Sequence, residues 1–226
     1  MKLLQGIMIA ALLVIAQQAF GQLGKVMPVD QADRNPSFLA FRAELLHAVQ
    51  RQDTAFVLSH LYPEIGNSFG GDGGIEEFKE QWFGKLMPGY EYTKRDLMST
   101  IEDILTHGGR VEGDSVFIAP YWFTEDLPDD LDSYFHMVII GESVPVRSSP
   151  GSGALLASLS YDVVADPPDR YQIDDVLRPD GWTAIMLRDS TISYVPSAQV
   201  RSPIGYRMTF HLEDGRWWIT NLIAGD

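Results

Sequence analysis

Residues 134–164 read YFHMVIIGESVPVRSSPGSGALLASLSYDVV and contain several short apolar runs separated by turn residues. The pattern resumes after a polar insert, as GWTAIML at 181–187 and ISYVPSAQVRSP at 192–203. Short apolar runs bounded by glycine, proline and serine are typical of a small β-barrel. We therefore expect the chain to be organised around a barrel over residues 134–203.

One strand of this stretch can be located closely. Val144 and Val146 alternate with Pro145 and Arg147, which is the pattern of a half-buried strand. Because Pro145 has no N–H to donate to a neighbouring strand, we expect this strand at an edge of its sheet. The residues that follow, 148–153, are serine, proline and glycine and predict a turn.

The order of these motifs resembles that of bacterial SH3-like (SH3b) domains. The opening V-x-V-R-x-x-P signature is matched by Val144, Val146, Arg147 and Pro150. The strand after it is matched by Leu155, Leu156 and Leu159. The later W-x-x-V and G-Y-V motifs are matched by Trp182 with Ile185 and by Tyr194-Val195, with Ser193 in place of the glycine. Segment 165–180 is longer than the usual loop, 188–192 is irregular, and the resemblance covers under a third of the chain.

The resemblance implies binding rather than catalysis, because SH3b domains often bind cell-wall peptides. SH3-type folds bind extended peptides in aromatic grooves. The candidate ligand-binding residues are Tyr161, Tyr171, Trp182, Tyr194 and Arg147. We expect Tyr171 and Tyr194 to be exposed in the groove and Trp182 to lie mostly in the core. An ion pair with an acidic neighbour is the alternative role for Arg147.

Residues 1–21 have the features of a secretory signal peptide. Lys2 supplies a positive start, residues 7–16 are almost all apolar, and Ala19-Phe20-Gly21 supplies small residues at the cleavage positions. We expect cleavage before Gln22; an uncleaved anchor is the alternative, although the apolar run is short for a span of ~20 residues. The predicted mature protein is periplasmic or secreted and is not stably inserted in a membrane.

The charge balance excludes some partners. The 226 residues include 17 basic and 31 acidic ones, giving a net charge of −14. Loss of the leader removes Lys2, leaving 16 basic residues against 31 acidic ones and a net charge of −15. Such a surface repels nucleic acid and anionic membranes. It favours encounter with a cationic partner, or simply keeps the protein soluble.

The remaining segments predict an α+β protein. Asn35-Pro36 and Asp53 begin two helices, further helices follow Gly74 and run over 93–107, and Gly113-Asp114 turns a hairpin. A second hairpin turns at Glu213-Asp214-Gly215. The predicted organisation is a signal peptide (1–21), a linker (22–34), an α+β N-terminal domain (35–133), an SH3b-like barrel (134–203) and a C-terminal β-hairpin (204–226). That hairpin either extends the barrel or packs on the N-terminal domain.

A second, weaker resemblance involves both ends of the chain. AELLHAVQRQDTAFVLSHLYPEIGNSFGG at 43–71 and DGRWWITNLIAGD at 214–226 faintly resemble the cone-shaped α+β fold of nuclear-transport-factor-like and polyketide-cyclase-like proteins. In that interpretation the SH3b module is inserted between two parts of one domain. The cone would hold an apolar pocket lined by Phe41, Phe56 and Trp82.

The sequence offers little for catalysis. The chain has no cysteine, no H-E-x-x-H, no G-x-S-x-G and no histidine pair at helical metal-site spacing. The acidic loop 125–132 lacks the spacing of a calcium loop, and the glycine-rich 66–74 lacks the Lys-Ser or Lys-Thr of a phosphate loop. Three carboxylates are alternatives as an acid/base pair but fit a solvated helix face better: Glu76, Glu77 and Glu80. We therefore expect no catalytic residue, no metal and no cofactor.

These observations favour a non-catalytic exported binding or adaptor protein. Its SH3b-like barrel would bind cell-wall peptide or an envelope protein. The alternative is a small-molecule-binding or enzymatic cone-shaped domain that carries the barrel as an accessory. A purely structural scaffold in an envelope complex is a third possibility.

Overall fold

The computed structural model describes residues 23–67, 71–84, 94–128, 131–168 and 181–225. The predicted signal peptide, its cleavage site and Tyr171 lie outside the described residues. The chain divides into two compact units. The β unit consists of Met1–Met27 and Asp126–Pro203, and the α+β unit of Pro28–Glu125 and Ile204–Asp226.

The described elements include five α-helices and twelve strands, besides two short 3-10 helices at Ala32–Arg34 and Ser197–Gln199. The helices are α1 (Pro36–Gln50), α2 (Thr54–Ser59), α3 (Ile75–Phe83), α4 (Lys94–Thr106) and α5 (Tyr121–Thr124). The first strands are β1 (Leu61–Gly66), β2 (Arg110–Glu112), β3 (Val116–Ala119), β4 (His136–Ile139), β5 (Val144–Arg147) and β6 (Leu155–Leu159). The others are β7 (Val163–Ala165), β8 (Trp182–Met186), β9 (Ile192–Pro196), β10 (Val200–Arg201), β11 (Arg207–Glu213) and β12 (Arg216–Ile223). The predicted α+β class is confirmed.

Side-chain caps fix the starts of the first two helices. The Oδ1 atom of Asn35 accepts the N–H of Phe38 at 3.1 Å, and Pro36 occupies the first helical position. The Oδ1 atom of Asp53 accepts the N–H of Phe56 at 3.0 Å. Each bond satisfies one of the N–H groups that a helix start leaves without a partner.

The α+β unit contains a five-stranded sheet in the order β1-β12-β11-β3-β2. The hairpin β11–β12 is antiparallel; β12 runs parallel to β1, and β11 runs antiparallel to β3. The C-terminal hairpin therefore lies at the centre of this sheet and belongs to the α+β unit. Asp214 and Gly215 form its turn with φ of 52° and 76°, a conformation that favours an Asp-Gly pair.

Aromatic rings fill the space between helix α1 and the sheet. The ring of Phe38 stacks on that of Phe117 at 4.0 Å between centroids, and it lies 4.9 Å from the ring of Trp217. Phe41 packs on the same cluster, 6.1 Å from Phe210.

The cone-shaped alternative predicts an apolar pocket lined by Phe41, Phe56 and Trp82. Instead, Phe41 and Trp82 belong to one buried hydrophobic cluster, and Phe56 packs against it.

The β unit contains a seven-stranded sheet in the order β10-β4-β7-β8-β9-β5-β6, in which neighbouring strands are antiparallel. Among the described residues no strand pairing joins β10 to β6, so hydrogen bonds do not close this sheet into a barrel. Its core lies on one face. The buried cluster there comprises Met137, Ile139, Val144, Val146, Ala157, Leu159, Val164, Ile185, Leu187, Val195 and Val200.

Strand β5 is not at the edge of its sheet, so the prediction from Pro145 is wrong. β5 lies between β9 and β6. It pairs with β9 only where Arg147 stands opposite Tyr194. Pro145 lies beyond that ladder, and its missing N–H therefore costs no hydrogen bond.

Part of the predicted linker is attached to the β unit. The N–H of Val26 donates to the carbonyl of Tyr161, and the N–H of Val163 donates to the carbonyl of Gly24, both at 2.9 Å. Between these two bonds, Lys25 forms a bridge with Asp162. Within the described part of the chain, no helix is both long enough and apolar enough to cross a membrane.

Candidate functional site

The face of the β-unit sheet opposite its core carries two of the predicted ligand-binding residues. Val146 of β5 and Val195 of β9 belong to the core cluster. Successive side chains of a strand point to opposite faces, so their neighbours Arg147 and Tyr194 point to the other side, which we call the outer face.

Strand register places these residues in one row. Arg147 stands opposite Tyr194 of β9 and also opposite Leu155 of β6. Tyr194 in turn stands opposite Ala184 of β8. Directly opposed residues lie close enough for their side chains to interact. The row Ala184–Tyr194–Arg147–Leu155, which we call the outer row, therefore combines an aromatic ring, a guanidinium group and an exposed leucine.

Arg147 is held by the turn that follows its strand. Its Nη1 atom donates to the carbonyl of Gly153 at 2.8 Å, and its side chain is half-buried. A Cβ at Gly153 would lie 2.3 Å from the nitrogen of Ser149, so this turn requires glycine. No carboxylate of the described residues pairs with Arg147, so the predicted alternative of an ion pair is not seen there. The arginine keeps a cationic group on the outer face.

Tyr194 is less accessible than predicted. The residue is only 9% exposed, so the prediction that it lines an open groove is wrong in that respect. It sits between paired strands on both sides, where Ala184 and Arg147 limit its exposure. Trp182, expected in the core, lies on the outer face opposite Pro196 and is half-buried.

Tyr161 lies away from the outer row, just after the far end of β6. Its backbone has a φ of 58°, and its hydroxyl donates to Oε1 of Glu142 at 3.4 Å. Desolvation raises the pKa of this hydroxyl above its ordinary value of 10.0, and the negative charge and hydrogen bond of Glu142 raise it further. Of the five predicted ligand-binding residues, Arg147 and Tyr194 stand directly opposite each other, and Trp182 lies on the same face of the sheet. Tyr161 is separate, and Tyr171 lies outside the described residues.

The sequence analysis did not identify the apolar surface beside the row. Leu155 is 63% exposed and Leu156 is 39% exposed, although both were matched to a strand motif. Successive side chains of a strand point to opposite faces, so two consecutive leucines cannot both face one core. This rule could have predicted from the sequence that one of them is exposed. Ile192, two residues before Tyr194 on β9, adds a further exposed side chain on the outer face.

Carboxylates considered for other chemistry are engaged in local structure. Glu76 pairs with Lys79 at 2.7 Å, and Glu77 accepts the N–H of Gly73 at 2.8 Å. In the acidic loop, Oε2 of Glu125 accepts from Arg110 at 2.8 Å. The described residues contain no group of three or more histidine, aspartate or glutamate side chains arranged to hold a metal ion. Positions 68–70 of the glycine-rich segment and 129–130 of the acidic loop lie outside the described residues.

Comparisons with known proteins found no relative of this chain. No protein-family model matches the chain, and no curated protein or solved structure matches it either.

Proposed function

We propose that this chain is a non-catalytic binding or adaptor protein of the bacterial cell envelope. In this proposal the β unit has an SH3b-like arrangement and binds cell-wall peptide or an envelope protein through its outer face. The observation that supports it best is the register of β9, β5 and β6, which places Tyr194, Arg147 and Leu155 side by side.

The chemistry of the outer row suits a peptide. The exposed Leu155 offers most of the apolar contact, and the largely buried Tyr194 adds a small one. Tyrosine is common at binding surfaces because it has an apolar ring and a polar tip. The guanidinium of Arg147 matches a carboxylate, with which arginine forms paired hydrogen bonds. A peptide with apolar side chains and a carboxylate fits this combination.

The proposal also includes export. The apolar segment after Lys2 and the small residues before Gln22 support a signal peptide. If the protein is exported and processed, its intact mass after expression in a bacterial host will correspond to a chain beginning at Gln22. A purified protein that retains residues 1–21 in the envelope fraction would contradict cleavage.

Binding can be tested by co-sedimentation of the purified protein with insoluble peptidoglycan. The test variant is Arg147→Gln, which removes the guanidinium charge but keeps a polar side chain. The matched control is Arg188→Gln, which makes the same change at an exposed arginine in the turn between β8 and β9. We expect wild type and Arg188→Gln to sediment and Arg147→Gln to remain largely in the supernatant.

Two results would contradict the proposal in different ways. Equal sedimentation of all three proteins would remove the outer row from the binding site. No sedimentation of the wild type would exclude peptidoglycan and leave an envelope protein as the partner. That partner would be sought by cross-linking in intact cells, with Arg147→Gln as the negative control.

A further inference from the structure

The outer row lies on a surface whose single charged residue is Arg147. Strands β5, β6, β8 and β9 have the sequences VPVR, LLASL, WTAIM and ISYVP, and Arg147 is the only charged residue among them. A ligand that rests on these strands therefore meets one guanidinium group and otherwise uncharged side chains. Such a surface can pair with one anionic group, and a ligand with several would be repelled by the protein's net charge of −14.

Exposed apolar side chains flank this guanidinium on the outer face. Leu155, directly opposite Arg147 on β6, is 63% exposed. Tyr194 stands opposite on β9, and Ile192, two residues earlier on the same face, is 37% exposed. The next strand adds Met186, which stands opposite Ile192 and is half-buried. Apolar groups of the protein therefore begin one strand away from Arg147 on either side, a spacing of about 4.8 Å.

A β-bulge directs Leu155 to this face. Ala157 of β6 faces the core opposite Val146, yet Leu155, two residues before it, stands opposite Arg147. The extra residue between them, Leu156, shifts the register and turns Leu155 to the outer face. A bulge also makes a strand a poor edge for pairing with another chain. We therefore expect a ligand to contact side chains of the outer face and not to add a strand to β6.

Arg147 stands at the end of this surface. It is the last residue of β5, and its Nη1 atom donates to the carbonyl of Gly153 in the turn that follows. That turn, SSPGSG at 148–153, offers no charged side chain and no large apolar one. A peptide that continued beyond Arg147 in this direction would leave the apolar surface, whereas a peptide that ends at Arg147 would keep its contacts.

The short distance between the cationic and apolar groups also favours the end of a peptide chain. In a C-terminal residue, the carboxylate and the side chain are attached to the same Cα by single bonds of about 1.5 Å, so they lie side by side. Within an extended peptide, successive side chains point to opposite sides, and the next one on the same side is about 6.6–6.8 Å away. An acidic side chain would therefore reach Arg147 with its apolar neighbours turned away or farther off.

We infer that the outer face recognises the C-terminal end of a peptide. Arg147 binds the free terminal carboxylate, and the apolar side chain of the terminal residue packs on Leu155 and Ile192. A guanidinium group forms two parallel hydrogen bonds with a carboxylate, and the bond to Gly153 holds this one in place while using one of its five N–H groups. This inference rests on the proposed peptide-binding function and adds the class of ligand to it.

Titration of the isotope-labelled protein with short peptides, followed through its backbone amide signals by NMR, tests the inference. Three N-acetylated probes share a leucine: Ala-Ala-Ala-Leu with a free carboxylate, the same peptide as its C-terminal amide, and Ala-Ala-Leu-Glu as its amide. The third probe has the same single negative charge as the first, but on a side chain. We expect the first probe to bind at least about tenfold more tightly than the other two and to shift the amide signals of Arg147 and Tyr194.

Two substitutions assign the contacts. Arg147→Gln should abolish the difference in affinity between the free carboxylate and the amide, whereas Arg188→Gln, at an exposed arginine, should preserve it. Leu155→Ser should weaken binding of the probe that ends in leucine more than binding of a free-carboxylate probe that ends in glycine. The amide signals of the core residues Val146 and Val195 show whether each variant is folded.

The results separate this inference from the function on which it rests. Equal affinity for the free carboxylate and the amide overturns the inference, and so does a side-chain probe that binds as tightly as the first. In both cases, sedimentation with peptidoglycan that Arg147→Gln abolishes would still support the proposed function. A wild type that binds none of the probes also overturns the inference, and the sedimentation assay then decides the proposed function alone.

Discussion

The Nζ atom of Lys25 lies 3.0 Å from Oδ1 of Asp162, a residue 137 positions later in the chain. The side chain of Asp162 is only 4% exposed, whereas that of Lys25 is 40% exposed. The second carboxylate oxygen of Asp162 accepts the N–H of Ser160. A buried carboxylate therefore joins the segment 24–26 to the turn between β6 and β7.

Replacing Asp162 should lower the free energy of unfolding more than replacing Lys25. Asp162→Ala leaves the Ser160 N–H without its acceptor, and we expect the free energy of unfolding to fall by about 1–3 kcal/mol. Lys25→Ala removes a side chain that is itself 40% exposed, and Asp162 keeps its bond from the Ser160 N–H, so we expect a smaller loss of about 1 kcal/mol. Urea denaturation measures both. Equal losses would mean that the pair, and not the carboxylate's bond to the backbone, stabilises this turn.

The raised pKa of Tyr161 predicts a dependence of stability on pH. Desolvation and the Glu142 charge both favour the neutral phenol in the folded state, so the folded pKa exceeds the unfolded value near 10.0. The stability that this contributes is fully present below pH 10.0 and is lost as pH rises through the folded pKa. We expect Glu142→Gln, which removes the charge but keeps an oxygen acceptor, to lower the pKa of Tyr161. The ultraviolet difference titration of each protein against its Tyr161→Phe counterpart reports this pKa. An unchanged value would exclude Glu142 as a cause.

The cap of helix α1 can be tested at a single position. Asn35→Ala should lower the free energy of unfolding by about 0.5–2 kcal/mol, because the N–H of Phe38 loses its acceptor. Asn35→Gly should cost less, since glycine is tolerated at this position. Both variants lose the bond from Nδ2 of Asn35 to the carbonyl of Asp114, so that bond cancels in the comparison. Equal losses in thermal or urea unfolding would indicate that the Asp114 contact dominates.

The aromatic cluster of the α+β unit predicts that alanine substitution at Phe38 lowers the free energy of unfolding far more than at its neighbour Leu39. Phe38 is fully buried and stacks on Phe117, so Phe38→Ala should cost about 3–5 kcal/mol. Leu39, the next residue of the same helix, is turned towards solvent and 41% exposed, so Leu39→Ala should stay within about 0.5 kcal/mol. Tryptophan fluorescence during denaturation follows this region through Trp217, which lies beside Phe38. A small effect of Phe38→Ala would mean that a cavity already exists there, as the cone-shaped alternative requires.

Local signals in the sequence predicted the local structure. Asn35 and Asp53 cap helices as expected, and Asp214-Gly215 turns the predicted hairpin. Each depends on hydrogen bonds or dihedral preferences within a few residues, which a short stretch of sequence contains.

Features that depend on distant partners were not predictable in this way. Strand β1, LYPEIG, has a proline and no alternation, and it extends because Leu61 pairs with Ile219 near the other end of the chain. At the site, Arg147 and Tyr194 were predicted, but their direct opposition depends on the register between β5 and β9. The burial of Tyr194 and the terminal position of β6 among the described strands follow from strand order, which side-chain patterns do not specify.

Because the hairpin β11–β12 lies at the centre of its sheet, the order of synthesis determines when that sheet can form. Strands β1, β2 and β3 are synthesised before β11 and β12, but β1 shares a sheet with β3 and β2 only through these two later strands. The β unit is complete by Pro203, before any of that hairpin exists. A nascent chain therefore holds the helices and the other strands of the α+β unit without the centre of their sheet until β12 has been synthesised. A stop codon directly after Pro203 would remove that centre and leave the β unit whole.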